Sequence, residues 1–322
     1  MSHMPASLFD HRLVRGLLAR CGEARAMRTG VLIAALAMVL GGCVPDEPTA
    51  PPQTDIHLSE YVVSGDSIAL RIPLNRTERT GYDNQPQFTR DGTALLYTSE
   101  RGSSTDIYRM SLSNHTTRPI TALPTSVYSP TPRTDSTFVV VQVEDDGAQR
   151  LWEFPLSRTA PVTPDEGALL LPEVEPVGYF AWADAEQLAL FVLGAPHILQ
   201  WGNVLTGRAD TVRVDIGRSL ESRPQDASVS AVQRHENAPD SVLVAYGPDE
   251  VSVYAPTLPG EGDHTWTREG HLLMTSGTAL YQWHPNAGSW REVYDWDPAT
   301  PSRLAASPTE NRLAVVVAPP EE

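Results

Sequence analysis

An internal repeat of about 44 residues is the feature that most constrains the fold of this chain. The turn Asp91-Gly92 leads into the apolar run Ala94–Thr98, and Thr134-Asp135 begins a similar unit about 43 residues later. Later units begin at Asp184–Gln187, Glu269-Gly270 and Glu310-Asn311, with a weaker one between them at Val229–Gln233 and Ser241–Ala245. The period is that of a four-stranded propeller blade, about 40–45 residues. Six such units fit the chain.

The apolar runs themselves indicate strands rather than helices. From about Asp55 onward no segment keeps a 3.6-residue apolar period, and the runs are short, β-rich and separated by turn residues. Short strands at even spacing are typical of a sandwich, a barrel or a propeller, and the repeat selects the propeller. We therefore expect an all-β, six-bladed β-propeller of four-stranded antiparallel blades over Ile56 to Ala318.

The last unit is incomplete, and the start of the repeat region supplies what it lacks. Only Leu304–Ala306 and Arg312–Val317 read as strands in that unit, whereas Ile56–Val63 and Ser67–Leu74 read as two strands before the first one. An open ring would expose sheet edges. We expect the N-terminal strands to complete the last blade and close the ring.

The first forty-two residues read as an export leader. Three arginines precede the apolar run Val31–Leu40, and Leu40-Gly41-Gly42-Cys43 follows it. A basic region, a short apolar core and small residues make a signal peptide. The ending resembles a bacterial lipobox, which predicts lipidation of Cys43 and residues 1–42 as a lipoprotein signal peptide, with Met27 as an alternative start. An ordinary secretion signal and a buried helix are the other interpretations.

The segments flanking the repeat read as a tether and a tail. Residues 43–55 contain Pro45, Pro48, Pro51 and Pro52, which favours an extended, semi-rigid tether. Residues 319–322 form a short tail. With Cys21 removed, Cys43 is the only thiol left, so we expect no disulfide and no Cys-ligated zinc.

Composition excludes several kinds of chemistry. All 24 basic residues are Arg, so no Lys amine is present for a Schiff base, a pyridoxal phosphate enzyme or a phosphate-binding loop. The net charge of −16 argues against non-specific nucleic-acid binding and against electrostatic docking on anionic lipid. We expect the protein to bind no nucleic acid and to meet the membrane only through the lipid anchor.

The first repeat carries a specific resemblance. Gln85 to Leu112 contains Phe88-Thr89-Arg90-Asp91-Gly92, a strand that ends at Ser99, the motif Arg101-Gly102 near its end, and Asp106-Ile107-Tyr108. This pattern resembles the WD40-like (PD40) propeller repeat of the TolB-like family, with Arg90 where the family has Pro. Asp-Gly supplies the positive φ that a hairpin turn needs, and Ile107 and Met110 are expected on packed faces.

The resemblance places candidate binding residues around one mouth of the channel. In this family, the loops that lead into the first strand of each blade and the loops between the second and third strands line one channel face. On that mapping the candidate binding residues are Tyr82, Asn84, Gln85, Arg101, Tyr128, Glu144, Arg150, Tyr179, Asp263 and Arg303. Aromatic and Arg side chains suit a binding funnel. Trp152, Trp182 and Trp266 are expected to pack between blades.

Metal and catalytic motifs are weak. Glu144-Asp145-Asp146 and Glu261 with Asp263 offer oxygen ligands for Ca²⁺, but no EF-hand spacing is present, so we predict no metal and no cofactor, with Ca²⁺ as the alternative. His264, His271 and His284 lack zinc-protease spacing and are expected at the surface or in loops. No Gly-x-Ser-x-Gly elbow is present, and we predict no catalytic residue.

These observations predict a lipid-anchored protein of the bacterial cell envelope, on the outer rather than the inner membrane, with its propeller in the periplasm or at the surface. By resemblance to TolB-like proteins, the channel face of the propeller is expected to act as a non-enzymatic module that binds an envelope protein or a small ligand. The alternative is a small hydrolase or lyase acting on a sugar or lactone with carboxylates in the funnel. A purely structural envelope scaffold is a third interpretation.

Overall fold

The computed structural model describes residues 52–156, 159–260 and 262–320. The predicted leader, Cys43, most of the tether and Glu261 lie outside these residues. The described chain is almost entirely β-strand, with a short 3-10 helix at Pro164–Glu166. None of its helical segments has the length and apolar character to cross a membrane.

The strands are numbered in chain order. The first seven are β1 (Asp55–Ser64), β2 (Ser67–Leu70), β3 (Leu74–Asn75), β4 (Asp83–Phe88), β5 (Ala94–Glu100), β6 (Thr105–Ser111) and β7 (Thr117–Pro119). The next eight are β8 (Val127–Pro132), β9 (Thr137–Val143), β10 (Gln149–Pro155), β11 (Ala168–Leu170), β12 (Val177–Trp182), β13 (Gln187–Val192), β14 (Ile198–Asn203) and β15 (Arg208–Val214). The remainder are β16 (Ile216–Ser222), β17 (Val229–Gln233), β18 (Ser241–Ala245), β19 (Val251–Pro256), β20 (His264–Trp266), β21 (Leu272–Ser276), β22 (Ala279–His284), β23 (Ser289–Asp295), β24 (Thr300–Ala306) and β25 (Arg312–Ala318).

The strands of the described chain form six antiparallel sheets, which confirms the all-β, six-bladed propeller. Blades 1 to 5 are β4 to β7, β8 to β11, β12 to β15, β16 to β19 and β20 to β23, each a sheet of four strands. Blade 6 runs β24-β25-β1-β2, with β3 also paired to β1. The first strand of each blade contacts the first strands of its neighbours. These six innermost strands therefore surround the central channel.

The core lies between the blades. One apolar cluster joins β1 of blade 6 to β4 and β5 of blade 1 through Ile56, Phe88 and Leu95, and similar clusters join other neighbouring blades. A strand in the middle of a blade is covered on both faces, so it reads as a continuous apolar run instead of an alternating one. The run Ala94–Thr98 is accordingly buried along its whole length. Trp182 and Trp266 lie in such clusters, as predicted.

The N-terminal strand closes the ring, as the sequence predicts. Ile56 of β1 pairs with Val316 of β25. Thr54, the residue just before β1, forms a parallel bridge to Tyr82 at the start of blade 1. One detail of the prediction is wrong, because Ser67–Leu74 is not one strand. It divides into β2 and β3, which both pair with β1.

The first repeat has the local structure that its motif predicts. Gly92 has φ +66° in the hairpin between β4 and β5, and a Cβ at this position would collide with Thr309 Oγ1 of blade 6. Ile107 and Met110 of β6 are fully buried. The Asp-Gly turn thus serves both the hairpin and the contact between blades.

Candidate functional site

The six blades share a cleft in the central channel, lined by residues of their innermost strands. Its empty volume is about 480 Å³. Each blade contributes side chains to its wall, through the innermost strands or the residue just before one. The residues that line it are Gln85, Pro86, Gln87, Ser129, Thr131, Tyr179, Phe180, Arg218, Ser219, Leu220, Glu221, Asp263, Arg303 and Leu304.

A buried carboxylate held by two arginines dominates the cleft. Arg218 Nη2 donates to Asp263 Oδ2 at 3.0 Å, and Arg303 Nη1 donates to Asp263 Oδ1 at 3.1 Å. Arg303 Nη2 also donates to the Tyr179 hydroxyl, and its guanidinium carbon lies 4.4 Å from the centre of the Tyr179 ring. Charge-assisted hydrogen bonds are the strong ones. This cluster therefore fixes one aromatic and two cationic side chains in the wall of the cleft.

Asp263 and Glu221 have pKa values shifted in opposite directions. Burial raises the pKa of Asp263, but the positive charges of Arg218 and Arg303 outweigh it, so this pKa lies below its ordinary value. Burial, and then the negative charge of Asp263, raise the pKa of Glu221 well above its ordinary value. Asp263 is therefore ionised at neutral pH, whereas Glu221 keeps its proton over a much wider pH range than an exposed Glu.

A neutral histidine lies behind the cleft. His264 begins β20 without exposed surface, and its Nδ1 and Nε2 lie 2.8 Å from Ser219 Oγ and 2.7 Å from Ser230 Oγ. Trp266 Nε1 donates to the same Ser230 oxygen at 2.7 Å. Burial lowers the pKa of His264 to about 4, although the negative charge of Asp263 opposes the shift. The imidazole thus ties blades 4 and 5 together without carrying charge at neutral pH.

The surface or loop position predicted for the histidines is wrong for two of them. His264 is fully buried in an innermost strand, and His284 ends β22 with 3% of its surface exposed. His271 is partly buried and lies 3.1 Å from Gln282 Nε2. Sequence spacing excluded a zinc-protease motif but carried no information on whether a neighbouring blade covers a single histidine.

Four of the ten predicted binding residues line the cleft, and two others adjoin it. Gln85, Tyr179, Asp263 and Arg303 are in its wall. Tyr82 is buried beside them, and its pKa is raised by burial and then by Tyr179. Tyr128 precedes Ser129 of the wall and packs against the apolar cluster between blades 2 and 3.

The other four are not in the cleft wall and make structural contacts elsewhere, although Asn84 directly precedes Gln85 of the wall. Asn84 Nδ2 donates to Thr54 Oγ1 where the ring closes. Arg101 stacks on Tyr108, with its guanidinium carbon 4.0 Å from the ring centre. Arg150 is ion-paired with three carboxylates, at 2.8 Å to Glu175, 3.7 Å to Glu144 and 3.8 Å to Asp146. Glu144 also accepts a hydrogen bond from Trp152 Nε1 at 2.9 Å.

Sequence reasoning missed Arg218 and Glu221. Both lie on β16, the first strand of blade 4, whose sequence Ile216–Ser222 contains no apolar run. The usable signal was the repeat period itself, which requires a strand about ten residues before Val229–Gln233. Within the described residues, no group of three or more His, Cys, Asp or Glu side chains is placed to hold a metal ion.

Comparison with known proteins supports the fold alone. No protein-family profile and no curated protein matches this sequence. Among solved structures, a protein assigned to TolB from Agrobacterium tumefaciens is 11% identical with a TM-score of 0.60, over 84% of this chain and 99% of that one. A gluconolactonase from Xanthomonas campestris is 11% identical with a TM-score of 0.54, over 85% and 99%.

A third similar structure is an oligogalacturonate lyase in complex with manganese, 15% identical with a TM-score of 0.54, over 78% of this chain and 80% of that one. These similarities include a TolB, a lactonase and a lyase on one architecture. One fold hosts many unrelated functions, so the function has to be argued from the cleft.

Proposed function

We propose that this protein is a non-enzymatic binding module that engages a protein segment or a small ligand through the cleft in its central channel. The observation that carries the proposal is the Arg218–Asp263–Arg303 cluster, in which one carboxylate fixes two cationic side chains in a cleft built by all six blades. Side chains held in place before the ligand arrives lose little freedom on binding. Aromatic and Arg anchors are the groups that carry most binding energy.

The same cluster is poorly suited to proton transfer. Each oxygen of Asp263 already accepts a hydrogen bond from a guanidinium group, and the low pKa of this carboxyl makes it a weak base. A general base works best with a pKa near the working pH. The arrangement of these side chains favours ligand binding over catalysis.

The envelope location is part of the proposal. The basic, apolar and small-residue pattern that ends at Leu40-Gly41-Gly42-Cys43 supports lipidation of Cys43, and the TolB-like resemblance of the first repeat supports an envelope partner. The substitution Cys43→Ser should release the protein into the soluble fraction of cells. A variant that stays with the membrane fraction would exclude the lipid anchor.

A second candidate function rests on the two carboxyl groups of the cleft. Glu221 and Asp263 have pKa values pushed apart by their surroundings, and such pairs occur where one acid and one base act together. A hydrolase or lyase acting on a sugar or lactone would use Glu221 as the acid. Turnover of such compounds that Glu221→Gln abolishes, with the melting temperature unchanged, would favour this function.

The binding proposal is tested by chemical cross-linking of the full chain to its partners in native envelopes, followed by mass spectrometry. Arg303→Gln removes one cation of the cleft, while Arg208→Gln removes an exposed cation from the outermost strand β15. Partners captured by the wild type and by Arg208→Gln, but lost with Arg303→Gln, would support a binding site in the cleft. Equal capture by both variants would refute it. Circular dichroism first checks that both variants are folded.

A further inference from the structure

Two buried polar atoms in the cleft wall have no hydrogen-bond partner in the protein. They are Nε2 of Gln85 and Oγ of Ser129, and the two side chains line the same cleft. The residues are only 6% and 9% exposed. An unsatisfied buried polar group costs about 1–3 kcal/mol, and native proteins keep few of them. A bound group that accepts hydrogen bonds would satisfy both atoms.

The orientation of the Gln85 amide is fixed by its neighbours. Its Oε1 accepts hydrogen bonds from the Ser129 backbone N–H at 2.9 Å and from Thr98 Oγ1 at 2.8 Å. A backbone N–H can only donate, so the oxygen must face Ser129 and the NH2 group must take the other position. The group without a partner in Gln85 is therefore a donor.

The backbone positions these two residues in the same way. Gln85 and Ser129 have φ values of +54° and +53°, and each precedes a proline, Pro86 and Pro130. Both interrupt strand pairing, between Asn84 and Gln87 in blade 1 and between Tyr128 and Thr131 in blade 2. Non-glycine residues with positive φ are uncommon and cluster at functional sites. Two neighbouring blades thus present a polar side chain to the channel by the same local device.

The Arg218–Asp263–Arg303 cluster beside these donors adds up to a single positive charge. Arg218 and Arg303 are cationic and Asp263 is an ionised carboxylate between them. Burial, and then the negative charge of Asp263, raise the pKa of Glu221 well above its ordinary value, which favours its neutral form. One negative charge balances this set, whereas a phosphate group with two charges would overcompensate it. Phe180, Leu220 and Leu304 line the same cleft and offer apolar contact to the rest of a ligand.

We propose that the cleft is a carboxylate-binding site, in which Gln85 Nε2 and Ser129 Oγ donate hydrogen bonds to the carboxylate of an organic acid and Arg303 supplies the opposing charge. This inference rests on the proposed binding function and names the ligand group that the cleft selects. Protein-bound carboxylates and free organic acids share this chemistry, and a free acid is sufficient to test it.

The test uses the full chain and three probes that share a phenyl ring: benzoate, neutral benzamide of nearly the same shape, and phenyl phosphate. Binding is followed by NMR through the side-chain NH2 signal of Gln85, which is identified by its absence in Gln85→Glu. We expect benzoate to shift this signal and to bind at least tenfold more tightly than benzamide and phenyl phosphate. We expect Ser129→Ala to weaken benzoate about fivefold, Arg303→Gln to weaken it at least tenfold, and Arg208→Gln to leave it unchanged.

Several results would overturn the proposal. A carboxylate site is contradicted if benzoate and benzamide bind equally, or if phenyl phosphate binds more tightly than benzoate. It is also contradicted if benzoate leaves the Gln85 signal unshifted, because the cleft then holds only water. Failure here is distinct from failure of the binding function. If partner capture still depends on Arg303 while benzoate does not bind, the module binds something other than a carboxylate. If benzoate binds while capture is insensitive to Arg303, the protein partner uses another surface.

Discussion

Neutralising Asp263 should cost the protein a large part of its stability. In Asp263→Asn the amide oxygen can accept from one guanidinium group, but the amide NH2 faces the other one, so a donor meets a donor. Asp263 is only 4% exposed, and breaking a buried ion pair by removing one partner costs about 3–5 kcal/mol. The two arginine side chains are 23% and 13% exposed. Water therefore screens part of the loss, and we expect about 3 kcal/mol.

The loss is measured by urea unfolding at pH 7, followed by tryptophan fluorescence. A loss of about 3 kcal/mol corresponds to a drop in melting temperature of roughly 6–12 °C for a domain of this size. The matched control is Asp135→Asn, which removes a surface ion pair to Arg90 with an N–O distance of 3.6 Å and side-chain exposures of 88% and 59%. Exposed pairs contribute about 0–1 kcal/mol.

Two results would refute this reasoning. One is a loss below about 1 kcal/mol in Asp263→Asn, and the other is a loss no larger than that of Asp135→Asn. The double variant Asp263→Asn with Arg303→Gln gives a further check, because it removes one of the two cations that face each other once the charge of Asp263 is gone. Its loss should be smaller than the sum of the two single losses, since residues in one ion-pair network are not additive.

Three further predictions follow from the same physical reasoning. Because the pKa of Glu221 is raised, its protonated form stabilises the fold below pH 4.5, and that stability is lost as the pH rises. The melting temperature of Glu221→Gln should therefore increase relative to that of the wild type progressively above pH 4.5. A difference in melting temperature that stays constant with pH would contradict this. Because burial lowers the pKa of His264 to about 4, its contribution to the stability of the fold falls as the pH drops from 6.5 to about 4. An NMR titration should show one of the nine histidines staying neutral to about pH 4, and its signal should be missing in His264→Gln. Titration of His264 near pH 6.5 would refute this prediction. Ile56→Ala in the closing strand β1 should lower the free energy of unfolding in urea by about 3 kcal/mol. The control Val62→Ala, at a position 50% exposed on the same strand, should lower it by less than about 1 kcal/mol. Equal losses of stability would show that the closing strand adds little to the ring.

The fold was predictable because every blade buries its middle strands between neighbouring blades in the same way. A strand in the middle of a blade is covered on both faces, so stretches such as Phe138–Val141 and Leu188–Val192 are apolar throughout. The second strands of successive blades begin 40 to 50 residues apart. The strands at the outer edge are not constrained in this way. β15 is mostly exposed, and the division of Ser67–Leu74 into β2 and β3 has no counterpart in its apolar pattern.

The site was predictable only in part, since its residues come from all six blades. The resemblance to the TolB-like repeat placed Gln85, Tyr179, Asp263 and Arg303 at the channel mouth, and the structure brings them together. Arg150 was also predicted there, but it lies on β10 and its side chain pairs with Glu175, just before β12. Which loops reach the channel depends on their length and pairing in three dimensions, and a one-dimensional period does not encode that.

Breaks in strand pairing place several of the residues that line the cleft. The innermost strands lose register between Asn84 and Gln87, Tyr128 and Thr131, Val177 and Tyr179, Ile216 and Leu220, and Pro301 and Leu304. The residues that lie inside these gaps include Gln85, Ser129, Arg218 and Arg303, all of which line the cleft.

Proline and glycine mark these breaks in the sequence. Pro86, Pro130, Gly178 and Gly217 lie inside the gaps, and Pro301 borders one. A bulge leaves a backbone N–H unpaired, so proline costs little there, and the extra residue re-aims its neighbours. Side chains at a bulge are also released from the alternation that the apolar faces of a blade impose. The chemistry of the channel can therefore vary from one propeller to another while the packing between blades stays the same, so a shared fold does not determine which side chains line the channel.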